Sequence, residues 1–493
     1  MTLPSLPGHA LTELGRTGGS SETLALLARD QDTRRLLILR AVLDGAGEAR
    51  TCSAGAARRL REDWALLEEA EGATANPRGR ATATAGSSSP SGPSGPSVRT
   101  GLLHPLLGPW AQRILRGLGS ASAADPERQR DLATDLDHFS AVAAALAARA
   151  GIPFAVRLTA HAGTLVLPSF GALRTDEPES TPVDAVHRSG RLTLRRPGAA
   201  DVVVHLEGGV GAWADSRAWT PAYALPGLLA DSPPIPLDDL DPYRTVHGGP
   251  HYYGLSGPVT LDDAERKRWL QAWSGTATAL RLGGAGRLTE AAALLRCLVP
   301  LAVPPGDSAD GRAHGSCSAT RQEAFGAVLS STPPNAMSFA ATLVHELQHA
   351  KLAVAGTMVT LHHSDGRARH FAPWRPEPRP YDGLLQGAYA HLGLADYFQH
   401  RALGEGDPAR RDTAWGQFAR YHEQVAAALP ALVGSDDLTA RGRQFVEVMV
   451  DTHERMGDIA VPRAHAVRAR EYVRAARRLW VQRHAVDVRR SRE

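Results

Sequence analysis

Apolar residues recur three and four apart along much of the chain, which is the helical period. Residues 22–44 (ETLALLARDQDTRRLLILRAVLD) predict one helix and residues 57–70 another. Residues 101–118 and 127–149 predict two more. The period then shortens. Segments 154–158, 165–168, 192–194 and 202–206 are short, rich in β-branched or aromatic residues, and punctuated by Gly and Pro. They predict a small antiparallel sheet. Residues 209–256, rich in Trp, Tyr, Asp, Pro and Gly, predict ordered loops with several turns. Helical patterns return at 261–281 and 288–298, and from residue 336 the chain is largely helical. The expected fold class is α+β, predominantly helical, with the sheet in the middle region.

One stretch breaks these patterns. Residues 72–96 are dominated by Gly, Ala, Ser and Pro, a composition too poor in apolar side chains to pack a core. Five regions are therefore expected: an N-terminal helical region (1–71), a flexible linker (72–100), an α+β region (101–256), a metal-binding catalytic region (257–405) and a C-terminal helical region (406–493). A chain of 493 residues is too long for one typical domain.

Charge and cysteine usage narrow the class. With 55 basic and 52 acidic residues the net charge is only +3, so no nucleic-acid partner is expected. The basic run at 468–492 reads as a solvated helix. The three cysteines, Cys52, Cys297 and Cys317, are odd in number and far apart, which fits a reducing compartment rather than a disulfide framework. The opening MTLPSLPGHALTEL lacks the pattern of a signal peptide, and no apolar run reaches membrane-spanning length. A cytoplasmic location is expected.

The chemistry concentrates in PPNAMSFAATLVHELQHAKLAVAG, residues 333–356. Two prolines end the preceding segment, Asn335 is the expected N-cap and Gly356 the expected stop. His345 and His349 are four apart, so their imidazoles stack on one side of the helix, where two neutral histidines can share one divalent ion. Glu346 reaches the edge of the same site, completing an HExxH pattern. A third ligand has to come from elsewhere. His391, inside a second predicted helix beginning at Gly383, is the first candidate. His362, His363 and His370 are weaker ones, and Glu377, Asp382 and Asp396 are the acidic alternatives. Two histidines and a carboxylate would make the facial set of non-haem iron oxygenases; iron and zinc both stay open.

These residues resemble a known group. FGAVLSSTPPNAMSFAATLVHELQHAKL is similar to the metal helix and lead-in of the bacterial HExxH-type peptide modification proteins, the α-ketoglutarate-dependent peptide β-hydroxylases. FAPWRPEPRPYDGLLQGAYAHLGLADYF resembles their second signature, and TRRLLILRAVLD and DLDPYR (239–244) resemble further landmarks. The likeness spans most of residues 20–400. It implies Fe(II), α-ketoglutarate and O2, and hydroxylation of a side-chain β-carbon in a peptide, such as a ribosomal precursor or carrier-bound peptide. A radical-SAM maturase is an implied partner. Carried over residue by residue, His345 and His349 match the metal histidines and His391 the distal ligand. The co-substrate's far carboxylate needs a cation, and Arg375 and Arg379 are the nearest candidates, since a guanidinium pairs bidentately with a carboxylate. Ser316, Ser318 and Thr320 are candidate hydroxyl contacts, and Trp374 a candidate pocket wall.

Two other classes compete. In a zinc peptidase Glu346 would be the general base. Against this, residues 349–355 read HAKLAVA, without the longer metzincin pattern, and residues 384–398 contain no Glu. A peptide-binding module without catalysis would not need an intact His345, Glu346 and His349. Mild proteolysis is expected to cut first within 72–96 and leave the metal-binding part whole; protection of that stretch throughout digestion contradicts the linker.

Overall fold

The computed structural model describes residues 5–75, 98–119, 125–245, 255–304 and 317–490. Of the expected linker, residues 76–97 lie outside these, while 72–75 and 98–100 belong to helices.

Six helices open the chain: α1 (Gly8–Gly15), α2 (Ser21–Glu48), α3 (Ala54–Ala75), α4 (Val98–Leu102), α5 (Leu107–Leu118) and α6 (Pro126–Arg149). Their ends follow the residue chemistry. Ser20 caps α2 by accepting from the Thr23 amide, and Asp125 caps α6 with Pro126 in the first turn. Leu39, Trp110, Ile114 and Phe139 form their shared core, with Trp110 stacked on Phe139 at 5.2 Å.

Eight strands follow: β1 (Phe154–Ala160), β2 (Thr164–Leu167), β3 (Gly171–Arg174), β4 (Thr181–Arg188), β5 (Arg191–Arg195), β6 (Val202–Leu206), β7 (Ala212–Ala214) and β8 (Trp219–Pro221). They form an antiparallel sheet ordered β1-β4-β5-β6-β7 and a three-stranded one ordered β2-β3-β8. Strand β4 was not anticipated, although TPVDAVHR buries alternate residues and turns through Ser189 and Gly190, both at positive φ. Such a two-residue turn is the usual hairpin signal. The alanine face of α6 (Ala141, Ala144, Ala145, Ala148) covers these strands.

A third sheet carries the candidate site. Its strands are β9 (Tyr223–Leu225), β10 (Ile235–Leu237), β11 (Cys297–Leu301), β12 (Ser318–Thr320) and β13 (Ala327–Ser331), in the order β12-β13-β11-β10-β9. Strands β10 and β11, and β11 and β13, pair parallel. Among the described residues, the middle region thus holds two antiparallel sheets and gives two strands to a mixed sheet completed by residues 297–331, rather than one small antiparallel sheet. Helices α7 (Asp263–Ser274), α8 (Thr276–Leu282) and α9 (Arg287–Leu294) precede β11. The expected helix over 288–298 therefore ends at Leu294. The run CLVPL is buried on both faces, and a continuous apolar run has no period that separates strand from helix.

The rest is helical: α10 (Ala336–Met358), α11 (Tyr381–Gly404), α12 (Pro408–Val433), α13 (Ala440–Gly457) and α14 (Arg463–Arg490). Asn335 caps α10 by accepting from the Ser338 amide at 2.9 Å. Gly356 is not its stop; the helix runs on to Met358 and ends where Val359 turns extended. Phe339 packs against Trp269 and Trp273, and Leu343, Val344 and Leu347 share a core with Leu298 and Val328 of the mixed sheet.

Behind α10 lies a buried ionic network. Lys351 pairs with Glu290 at 3.1 Å, and Arg287 pairs with Glu290 at 3.0 Å and with Asp396 at 2.7 Å. The Thr17 carbonyl accepts from Lys351, Arg287 and Gln348. Burial pushes the Lys351 amine down to about 8 despite Glu290. Removing one partner of such a network strands the others in a low-dielectric interior. Lys351→Met is therefore expected to cost about 3 kcal/mol or more, read as an earlier urea unfolding midpoint; an unchanged midpoint would contradict this role.

Candidate metal centre

The two α10 histidines approach each other edge to edge, with Nε2 to Nε2 at 3.2 Å. The His349 Nδ1–H donates to Gln386 Oε1 of α11 at 3.2 Å, so His349 Nε2 presents a lone pair toward His345. Either a proton or a cation has to lie between the two nitrogens. With metal–nitrogen bonds of about 2.1 Å, this separation corresponds to an angle of about 100° at a shared ion. The donor set therefore fits a divalent metal. The buried His345 Nδ1 has no hydrogen-bond partner. Burial, followed by His349 and His391, holds the His345 imidazole well below its ordinary range, so it is neutral and able to ligate.

His391 stands on α11, its ring centroid 5.5 Å from that of His345. Its Nδ1–H donates to the Gly387 carbonyl at 2.8 Å, which leaves Nε2 with the lone pair. Trp374 and Tyr421 flank the ring at 4.5 and 5.3 Å. Burial is the main reason its pKa falls to about 3, with His349 and Arg420 adding to the drop.

Glycines shape the approach to this histidine. Gly383, Gly387 and His391 are four apart, on one face of α11. A Cβ at Gly387 would come within 2.5 Å of the Trp374 ring, and one at Gly383 within 2.7 Å of the Arg379 guanidinium. Arg379 is half-buried, and its Nε has no hydrogen-bond partner. Arg375 is exposed.

Glu346 points elsewhere. It is 2% exposed, and its Oε1 accepts from the Ser318 hydroxyl of β12 at 2.7 Å. Burial raises its pKa, against His349, Ser318 and Thr320, which lower it. Ser318 and Thr320 thus serve Glu346, and Ser316 lies outside the described residues. Several of the remaining candidates have other partners, and Glu377 lies close enough to Arg379 to act on its charge. Asp396 is taken by Arg287, and His362 approaches Asp382 at 3.4 Å. His370 packs near Tyr381.

A second group was not found by sequence reading. The ligand atoms of His104, Asp238 and Cys297 all lie within 4.8 Å of one another, and no other trio of His, Cys, Asp or Glu among the described residues does so. The three α10 and α11 imidazoles together do not meet that distance. The group can coordinate a metal ion, consistent with a metal-dependent enzyme. No spacing signal could have announced it, because its members come from three distant parts of the chain. No family model matches the chain, and no curated protein matches it. Among the described residues, no helix is long and apolar enough to cross a membrane.

Glu346→Gln keeps the shape and an acceptor for Ser318 but removes a charge that is costly to bury. A carboxyl whose folded pKa is raised contributes stability that is present at low pH and lost as pH rises through that pKa. Metal-free Glu346→Gln is therefore expected to gain stability relative to wild type as pH rises above the ordinary carboxyl range, and to keep its metal site. Thermal melts across pH test this; a pH-independent difference, or loss of metal binding, contradicts it.

Proposed function

We propose that the chain is an Fe(II)- and α-ketoglutarate-dependent hydroxylase of a peptide side-chain β-carbon. The observation that carries the reading is the pair of α10 imidazole nitrogens 3.2 Å apart with His391 beside them. The sequence resemblance to the peptide β-hydroxylases supports it, and so does the neighbouring arginine. In this reading His345, His349 and His391 hold the ion, with a small shift of the His391 ring closing the set. Bound there, iron with the 2-oxo acid and O2 would supply the oxidation: one oxygen atom enters the peptide C–H bond and the other leaves in succinate, with release of carbon dioxide.

The chain's own groups bind and orient. Gln386 and the Gly387 carbonyl fix the two imidazoles through their Nδ1 protons. Trp374 and Tyr421 wall His391 from water. Arg379 takes the far carboxylate of the co-substrate: it sits against Gly383, one helical turn, about 5 Å, from the segment that carries Gln386, and its unpaired Nε is a free donor. Glu346, held by β12, positions the metal helix against the sheet rather than acting as a base. The substrate is a peptide, a ribosomal precursor being the natural class, and a radical-SAM maturase is a compatible partner.

The test uses anaerobic protein loaded with Fe(II). Adding α-ketoglutarate is expected to produce a weak visible charge-transfer band, and oxygen then yields succinate. With a substrate peptide, the peptide gains one oxygen atom. Arg379→Ala is expected to weaken α-ketoglutarate binding about tenfold or more, the scale of a lost charge-assisted pair. Cleavage of a peptide backbone by the zinc-loaded protein, without α-ketoglutarate, would overturn the reading in favour of a peptidase.

A further inference from the structure

The DLDPYR segment finds no role in the α10 site, yet it adjoins the second ligand group. Asp238 immediately precedes it, at the end of β10, and His104 lies in the turn between α4 and α5. Cys297 opens β11 and is fully buried. Three separate stretches of chain thus bring a carboxylate, an imidazole and a thiol together. His104 and Asp238 line one wall of a cavity of about 80 Å3, whose other walls include Leu107, Leu146 and Pro236. Cys297 lies behind them.

The three groups are in close contact. His104 Nε2 is 3.1 Å from Asp238 Oδ2; burial lowers the imidazole's pKa, but Asp238, by charge and hydrogen bond, raises it on balance, and Asp238 also accepts from the Cys297 thiol. A divalent cation can take the place of the two protons through which the carboxylate now holds the imidazole and the thiol, whose ligand atoms lie within 4.8 Å of one another. Burial, with Asp238 and Asp241, pushes the Cys297 thiol up, while Arg35 acts the other way. A divalent ion favours the thiolate outright. The donor set decides the ion: one sulfur, one nitrogen and one oxygen suit a borderline-soft cation of the zinc type better than Mg2+ or Ca2+.

We propose that His104, Asp238 and Cys297 bind a second divalent ion, of the zinc class, whose fourth coordination position opens into the adjoining cavity. Loading the site replaces the Cys297 thiol proton. It also puts the His104 proton on Nδ1, at the expense of the long 3.4 Å contact from the Leu106 amide. The ion ties the N-terminal helices to β10 and β11 of the mixed sheet, on whose other face α10 packs. The site is independent of the hydroxylase reading.

The experiment loads the full-length protein with Co(II), because a cobalt–thiolate bond gives an intense near-ultraviolet charge-transfer band that histidine and carboxylate ligands do not give. The wild type is expected to show the band, and His345→Ala/His349→Ala to retain it. Cys297→Ser is expected to lose it. His104→Ala is expected to weaken Co(II) binding at this site at least tenfold, since loss of an outer-shell partner alone costs about 10–100-fold. Absence of the band from the loaded wild type, or its persistence in Cys297→Ser, would overturn the site.

Discussion

The candidate metal centre depends on a charge cluster that never touches it. Lys351 is wholly buried, and Glu290 and Arg287 nearly so. Charges this deep are tolerable only when each is paired and its remaining valences are met. Here the pairing runs through four elements: the α1–α2 turn by the Thr17 carbonyl, α9 by Arg287 and Glu290, α10 by Lys351, and α11 by Asp396. Lys351 is two residues beyond His349, so the bond that fixes the lysine also fixes the rotation of α10. Asp396 is five residues beyond His391, so the same network sets α11 against α10. The convergence of imidazoles from the two helices follows from it.

Small residues let that convergence happen. Gly387 admits the Trp374 ring against α11, and Gly393 admits the Gln348 side chain of α10. The histidines then sit in an apolar, aromatic surround that keeps His345 and His391 neutral by burial. A metal requires neutral imidazoles, and His349 and His391 already have their Nδ1 protons committed, whereas His345 Nδ1 has no partner. Glu346 shares the helix but turns toward β12, which links the metal helix to the sheet edge.

Much of this was legible in the sequence because it is local. The four-residue spacing of His345 and His349, the Asn335 cap and the helix carrying His391 are all written within single segments. What was missed is non-local or aperiodic. Strand β11 is buried on both faces, so its apolar run looked like the tail of a helix. Asp396 read as a possible metal ligand, but its partner Arg287 lies far back in the chain. His104, Asp238 and Cys297 share no spacing at all, and only the folding of the N-terminal helices onto the mixed sheet brings them together. Gly356 read as a stop, yet a single glycine late in a well-packed helix costs only about 1 kcal/mol and need not end it.

The central claim is that one iron ion is held by imidazoles of α10 and α11. X-ray absorption at the iron edge, on protein reconstituted anaerobically with Fe(II), tests it most directly. The account predicts a first shell of nitrogen and oxygen with the outer-shell scattering of two or three imidazoles, lost in His345→Ala/His349→Ala. A shell with sulfur as its main scatterer, or one without imidazole, would contradict it.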